Sequence, residues 1–332
     1  MQCSNSLHTQ RLFTKTRVSE RKRSLLIPQS ERILLKSLKL FETTENKMQY
    51  TEFIHPEDAA ALKTLKSIPI LSTIMKKVMD IGAEQLQTGL NMASKVKLSP
   101  TQLPRLYNIL PPICERLEIK EPEFYLEMSP LPNAYAFGDT QTAITITSAL
   151  VDMMSEEELI GVVAHECGHI ACRHMLYHTL AQVIANASGM FETLAKLAVP
   201  IHYALMYWQR KSELSCDRAA AYIVGPRATA SMLARLAGGP QSITSELNLE
   251  ELAEQADLYD AFCKNGLWNK TLQTYAVMDQ DHPFTSVRVR EMLKWTESAD
   301  YQNLVNGGPF CPHCHTPIDP TWKFCQHCGH KL

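Results

Sequence analysis

Residues 155–174 read SEEELIGVVAHECGHIACRH, and this stretch constrains the chain more than any other. Ser155 followed three positions on by Glu158 is a capping box, so a helix is predicted to start here. Its flanks, LIGVVA and IAC, are apolar, which predicts a mainly buried element. A buried helix cannot hold His165, Glu166 and His169 unless each finds a polar partner. Four residues advance a helix by about 6 Å, roughly one turn, so His165 and His169 share a face. Both imidazoles can then reach one ion at the usual Zn–N distance of about 2.0–2.1 Å. Glu166 lies about 100° round the helix, poorly placed to ligate but able to reach a water on that ion. The same pattern also occurs in helices without metal. Against that, Gly161 and Gly168 each cost about 1 kcal/mol relative to Ala inside a helix. They point to something that must approach the backbone closely.

A catalytic zinc needs a third protein ligand and an open position. The metzincin pattern would place Gly and His where this chain has Cys172 and Met175, so that class is excluded. Cys172 shares the histidine face, but a third ligand from the same helix would be strained; its expected role is packing. The segment YWQRKSELSCDRAAAYIVGP is a better source, a helix ended by Gly225-Pro226. It carries Glu213 and, one turn on, Asp217. That spacing lets Glu213 bind the metal while Asp217 accepts a hydrogen bond from a ligating histidine and fixes its tautomer. The rival, Glu192, has Lys196 at i+4, a pairing typical of a solvated helix face.

The rest of the chain supplies context. Apolar residues at three-to-four spacing predict helices from about 50 to 118, one of them capped by Ser99 with Pro100 at its first position. EFYLEM (123–128), NAYAFG (133–138) and TAITITSAL (142–150) read as three short strands, and helices resume until about 300. A net charge of −2 gives no electrostatic case for nucleic acid as a partner. No uninterrupted run of 18 apolar residues occurs. The richest stretch, LAVPIHYALMYW (197–208), is too short for a spanning helix, so at most peripheral membrane association is expected. Residues 1–47 hold ten Lys/Arg against four Glu and are rich in Ser and Thr. They read as a disordered extension, with translation starting at Met48, or as an organellar transit segment.

The chain has 10 cysteines, and four of them form two C-x-x-C pairs in CPHCHTPIDPTWKFCQHC near the C-terminus. Cys311, Cys314, Cys325 and Cys328 suit one tetrahedral structural zinc, with His313, His315, His327 and His330 as alternative donors and a disulfide pair as the competing reading. The remaining cysteines are scattered, which points to a reducing compartment and a cytoplasmic location, with an organelle or a membrane surface as alternatives. NGGP (306–309) reads as a linker, giving three regions: the extension at 1–47, a main domain at 48–305 and a ribbon at 306–332.

With H-E-x-x-H at 165–169 and E-x-x-x-D at 213–217, the chain resembles the HtpX-like and CAAX-prenyl-protease-like gluzincin metallopeptidases over roughly residues 50–300. The C-terminus resembles a zinc ribbon. The resemblance implies an α+β fold: a mainly helical zincin-type domain with a small sheet, plus the ribbon. PNAYAFG (132–138) resembles the family's edge strand beside the cleft, and HPFTSVRV (282–289) its late His-Pro motif. By resemblance, His165, His169 and Glu213 would bind zinc and Glu166 would be the general base, with His282 and Arg288 near the cleft. The absence of clear spanning segments makes a soluble branch the nearer match. The implied function is a zinc endopeptidase acting on protein or peptide, in protein quality control, with one catalytic and one structural zinc. The alternative is an inactive scaffold whose ribbon recognises a protein or nucleic-acid partner. Nothing in the sequence fixes an oligomeric state.

Overall fold

A computed structural model of the chain describes residues 47–69, 71, 73, 75, 82–186, 192–266, 282–306, 309, 311, 313 and 318–332. The extension expected over residues 1–47 lies outside the described residues except for Lys47. So do Cys314, His315 and the centre of the NGGP linker, as well as the side chains of residues 182–199, Glu192 and Lys196 among them.

The architecture is α+β, mainly helical with one small mixed sheet. Helix α1 (Pro56–Lys66) starts where His55 Nδ1 accepts the Glu57 N–H at 3.2 Å and Pro56 takes the first helical position. Helix α2 (Ala83–Ser94) leads into the two-residue strand β1 (Val96–Lys97). The helix expected to start at Ser99 does not form there. Ser99 Oγ accepts the N–H groups of Thr101 and Gln102, its backbone pairs reciprocally with Gln102, and Leu103 turns into the left-handed region at φ 54°. Cap chemistry closes a turn instead. Helix α3 (Leu110–Arg116) follows.

Strands β2 (Glu123–Glu127), β3 (Ala134–Phe137) and β4 (Ala143–Thr147) match the three expected strands. The third is shorter than its pattern, because Thr147 caps a helical turn over Ser148–Met153. The sheet order is β1-β2-β4-β3, with β2 parallel to β4 and β3 antiparallel to it. β4 is buried throughout, while β3 has β4 as its one sheet neighbour among the described residues and forms an edge.

Helix α4 (Glu156–Ala171) begins with the capping box the sequence announces, Ser155 N–H donating to Glu158 Oε2 at 2.8 Å. After a tight turn come α5 (Met175–Asn186) and the 33-residue α6 (Glu192–Val224), which runs through Pro200. Gly225, at φ 84°, and Pro226 separate it from α7 (Pro226–Gly238). Helices α8 (Leu249–Lys264) and α9 (Thr285–Thr296) complete the parts that matter to the site. Glu158 fastens the start of α4 to α7 through buried Arg235 and through Ser231.

What approaches the α4 glycines is another helix. A Cβ on Gly168 would lie 3.0 Å from Ala219 Cβ and 3.1 Å from Cys216 Cα, so α4 and α6 pack close to backbone contact at this level. That proximity lets side chains from both helices meet at one point. Leu65, Leu180, Leu205 and Trp208 form a core joining α1, α5 and α6. No helix among the described residues is long and apolar enough to cross a membrane.

Candidate active site

His165, Glu166 and His169 leave α4 near its C-terminal end, and all three are largely buried. Glu213 leaves α6 opposite them, where its carboxylate meets both rings. His165 Nε2 lies 3.3 Å from Glu213 Oε2 and His169 Nε2 lies 3.2 Å from Oε1. Two donors each about 2.0–2.1 Å from a tetrahedral ion stand about 3.3–3.4 Å apart, so these separations are those of ligands to one zinc. Glu213 Oε2 is buried without a directed hydrogen bond, with Arg288 Nη2 and His165 Nε2 each 3.3 Å away. The residues fit the metal.

Cys216 Sγ also lies within 4.8 Å of donor atoms on both histidines. It sits beside His174, 3.7 Å from that ring's Nδ1. Burial pushes its thiol well above the usual range, which keeps it neutral. Burial opposes ionisation of Glu213 too, but the charges of His282 and Arg288 and the nearby His165 ring hold that carboxyl well below its usual range. The ionised carboxylate facing both Nε2 atoms is the better third donor. Cys172, the helix C-cap, lies outside this cluster.

Asp217 lies where the one-turn spacing places it. Its Oδ1 is 3.1 Å from His165 Nδ1 and accepts from Arg288 at 2.7 Å, and its Oδ2 accepts from Arg288 Nε at 2.9 Å. Burial alone would lower the pKa of His165; its contacts with Asp217 and Glu213 raise it to about 10. The carboxylates that would hold a proton on this ring are those that make the pocket favourable to a dication.

The resemblance places both His282 and Arg288 near the cleft, and the structure separates them. His282 lines it, with a half-exposed side chain and its Nε2 3.6 Å from Glu213 Oε2. Arg288 is buried in a bidentate pair with Asp217 and does not line the cleft among the described residues. Its guanidinium is committed to carboxylates behind the metal ligands, so it is not available to a substrate. Sequence reading also misses His174, which is fully buried with its Nδ1 3.1 Å from His169 Nδ1. One signal exists: a helix ending in a Schellman turn brings the residue five positions on against the residue at the turn's start.

The cleft has a volume of about 760 Å³ and is lined by Glu166, His169, Glu213 and His282 on one side and Asn133–Phe137 on the other. The Asn133 N–H and C=O both pair with Thr147, at 2.8 and 3.0 Å. Backbone groups alternate along a strand, so those of Ala134 and Ala136 point away from β4, to the outer edge of β3. Buried Lys95 reaches the Tyr135 hydroxyl at 2.5 Å, and that hydroxyl donates to Glu127 at 2.8 Å, which anchors β3.

In the C-terminal region Cys311 Sγ and Cys328 Sγ are 3.7 Å apart, and Cys325 joins them within 4.8 Å. Thiolates about 2.3 Å from a tetrahedral zinc stand about 3.8 Å apart. Gly329, at φ 74°, closes the second C-x-x-C turn by donating to Cys325 O at 2.9 Å. His313 and His330 stack on each other, and neither joins the thiol group.

Comparison with known proteins gives the family. The profile of peptidase family M48 matches residues 100–296. The chain belongs to peptidase family M48. It is a zinc metalloprotease acting on protein or peptide, and a zinc-ribbon domain profile matches residues 310–332. The chain is 32% identical over 260 residues to the plastoglobule-localized metallopeptidase 48, chloroplastic, of Arabidopsis thaliana, covering 76% of this chain and 75% of that protein. Protease HtpX homologs of Methylibium petroleiphilum and Campylobacter concisus are 28% and 26% identical over 230 and 218 residues. Those alignments cover 61% and 57% of this chain and 79% and 73% of theirs. No solved structure matches.

The chloroplast relative corrects the cytoplasmic expectation, since its name places an M48 peptidase of similar length in an organelle. The cysteine argument misled because it separates reducing from oxidising surroundings and does not separate one reducing compartment from another.

Proposed function

We propose that this M48 peptidase is an endopeptidase in which His165, His169 and Glu213 hold the catalytic zinc and Glu166 is the general base. The observation that carries the reading is Glu166 lining the same cleft as His169, Glu213 and the outer edge of β3. Zinc held there supplies a Lewis acid that brings the pKa of a bound water towards about 7 and polarises a carbonyl. Glu166 takes the proton of the attacking water on its carboxylate and returns it to the leaving amine. His282, at the mouth of the cleft, donates to the developing oxyanion. Asp217, held by Arg288, keeps the Nδ1 proton on His165 and so leaves Nε2 free for the metal.

An extended substrate pairs with the outward N–H and C=O groups of Ala134 and Ala136. Recognition through backbone tolerates many side chains, which suits removal of unfolded protein and hence a quality-control role. Cys311, Cys314, Cys325 and Cys328 hold a second, structural zinc, and the ribbon at 306–332 folds apart from the peptidase domain at 48–305. The basic first 47 residues and the chloroplast relative together support delivery to an organelle.

Glu166→Gln tests the mechanism. It removes the base and no ligand, so casein hydrolysis should fall by about 10²–10⁴-fold with zinc content unchanged. Wild-type turnover in that variant would rule the mechanism out.

A further inference from the structure

The end of α4 does more than stop a helix. Arg173 adopts the left-handed conformation at φ 57°, its N–H donates to Ile170 O at 3.1 Å, and the His174 N–H donates to His169 O at 3.0 Å. This is the Schellman pair of bonds, and it folds residue 174 back onto residue 169. The two side chains that meet are both histidines, with Nδ1 facing Nδ1 at 3.1 Å. On its other side His174 Nε2 lies 3.1 Å from Asp58 Oδ2, a close pair that falls short of a directed hydrogen bond. Asp58 is fully buried and comes from α1, outside the residues matched by the family profile. Trp208 Nε1 donates to its Oδ1 at 2.9 Å and Ser215 Oγ to its Oδ2 at 2.6 Å, both from α6.

We infer that Asp58 and His174 are positioning residues that fix the tautomer of His169 and so hold its Nε2 ready for metal. The inference rests on the zinc site proposed above. With a metal between His169 and Glu213, hydrogen-bond chemistry leaves one arrangement. An ionised carboxylate only accepts, so the single proton of neutral His174 belongs on Nε2, facing Asp58. His174 Nδ1 then carries a lone pair, and a second lone pair 3.1 Å away would repel it. His169 must therefore carry its proton on Nδ1, which leaves the Nε2 lone pair towards Glu213 and the cleft. The reverse assignment sets a His174 lone pair against a buried carboxylate and protonates the His169 nitrogen needed for zinc.

The burial of each group supports these charges. Burial lowers the pKa of His174, in line with the neutral ring that the geometry calls for. Burial would raise that of Asp58, but its contacts with His174, Ser215 and Trp208 bring it below the usual range. His165 meets its carboxylate directly in Asp217, whereas His169 meets one through a second imidazole.

The test uses the full chain at fixed pH and reads metal bound in the cleft against chelator-buffered zinc. Cobalt substitution separates the two sites, because thiolate charge-transfer bands report the ribbon. Asp58→Asn offers His174 a donor in place of an acceptor and should weaken cleft binding by about 10–100-fold, as should His174→Leu. His174→Asn puts an amide oxygen where Nδ1 stood and should bind near wild-type strength. On that background Asp58→Asn should cost nothing further, since the relay it acts through is gone. A purely structural role would move neither the rescue nor this non-additivity, and circular dichroism of the metal-free variants checks their folding. Wild-type zinc affinity in Asp58→Asn, or its full penalty persisting beside His174→Asn, overturns the relay. Glu213→Gln is the reference: if it also keeps the cleft metal, the zinc site itself is wrong and the relay falls with it.

Discussion

The cleft donors and the ribbon thiols both match tetrahedral zinc spacing, and they reach it from opposite directions. His165, His169 and Glu213 sit on two long helices packed nearly to backbone contact at Gly168, each donor more than nine-tenths buried. Cys311 and Cys328 are 17 positions apart, in a segment where Trp322 and Phe324 are exposed and there is little apolar surface to bury. In the cleft, packing places the donors and the metal arrives at a shaped site. In the ribbon a metal held by the thiols would have to supply the folding energy, because so short a segment can bury little apolar surface. Burial by itself is therefore no guide to which zinc is catalytic. The distinction lies in the donor chemistry and in the open side facing β3.

The sharpest way to break this contrast is Glu213→Gln. It should strip the cleft zinc and abolish hydrolysis while the ribbon zinc remains; equal zinc content to wild type by elemental analysis would remove Glu213 from the site. Asp217→Asn keeps every ligand but loosens His165, and zinc affinity should fall by about 10–100-fold in chelator competition. An unchanged dissociation constant would leave Asp217 as mere packing.

Gly168→Ala attacks the helix contact without touching a ligand. Overpacking there should cost about 1–3 kcal/mol in urea unfolding, while leaving the ribbon's cobalt spectrum intact. A pH scan sharpens the same point. The His165 pKa rises on folding, from 6.5 to about 10, so its contribution to the metal-free fold is fully present below 6.5 and is lost as the pH rises through 10. Zinc replaces that proton, so the decline between those pH values should be seen without metal and be reduced with it. The smallest effect belongs to a chain ending at Asn306. Small-peptide hydrolysis should persist, since no proposed cleft residue lies beyond His282; loss of it in a folded truncated protein would make the ribbon part of the active site.

Sequence alone determined what helix and turn geometry fix over a few residues. The capping box at Ser155, the shared face of His165 and His169 and the one-turn step from Glu213 to Asp217 are readable because 3.6 residues per turn sets them. The three strands were readable from their alternation and turn residues. Tertiary structure decided the rest. Ser99 carries cap chemistry, yet the chain spent it on a turn. PNAYAFG could equally have been an internal strand, and only the order β1-β2-β4-β3 made it the edge on the cleft. Arg288 went to buried Asp217 and Glu213 and not to the substrate side, because those two ionised carboxylates hold its guanidinium. His174 was hidden by a left-handed Arg173 where glycine would have announced the turn, and Asp58 by its distance along the chain. Spacing within an element follows from bond geometry; which elements meet follows from how their apolar faces pack, and no local pattern encodes that.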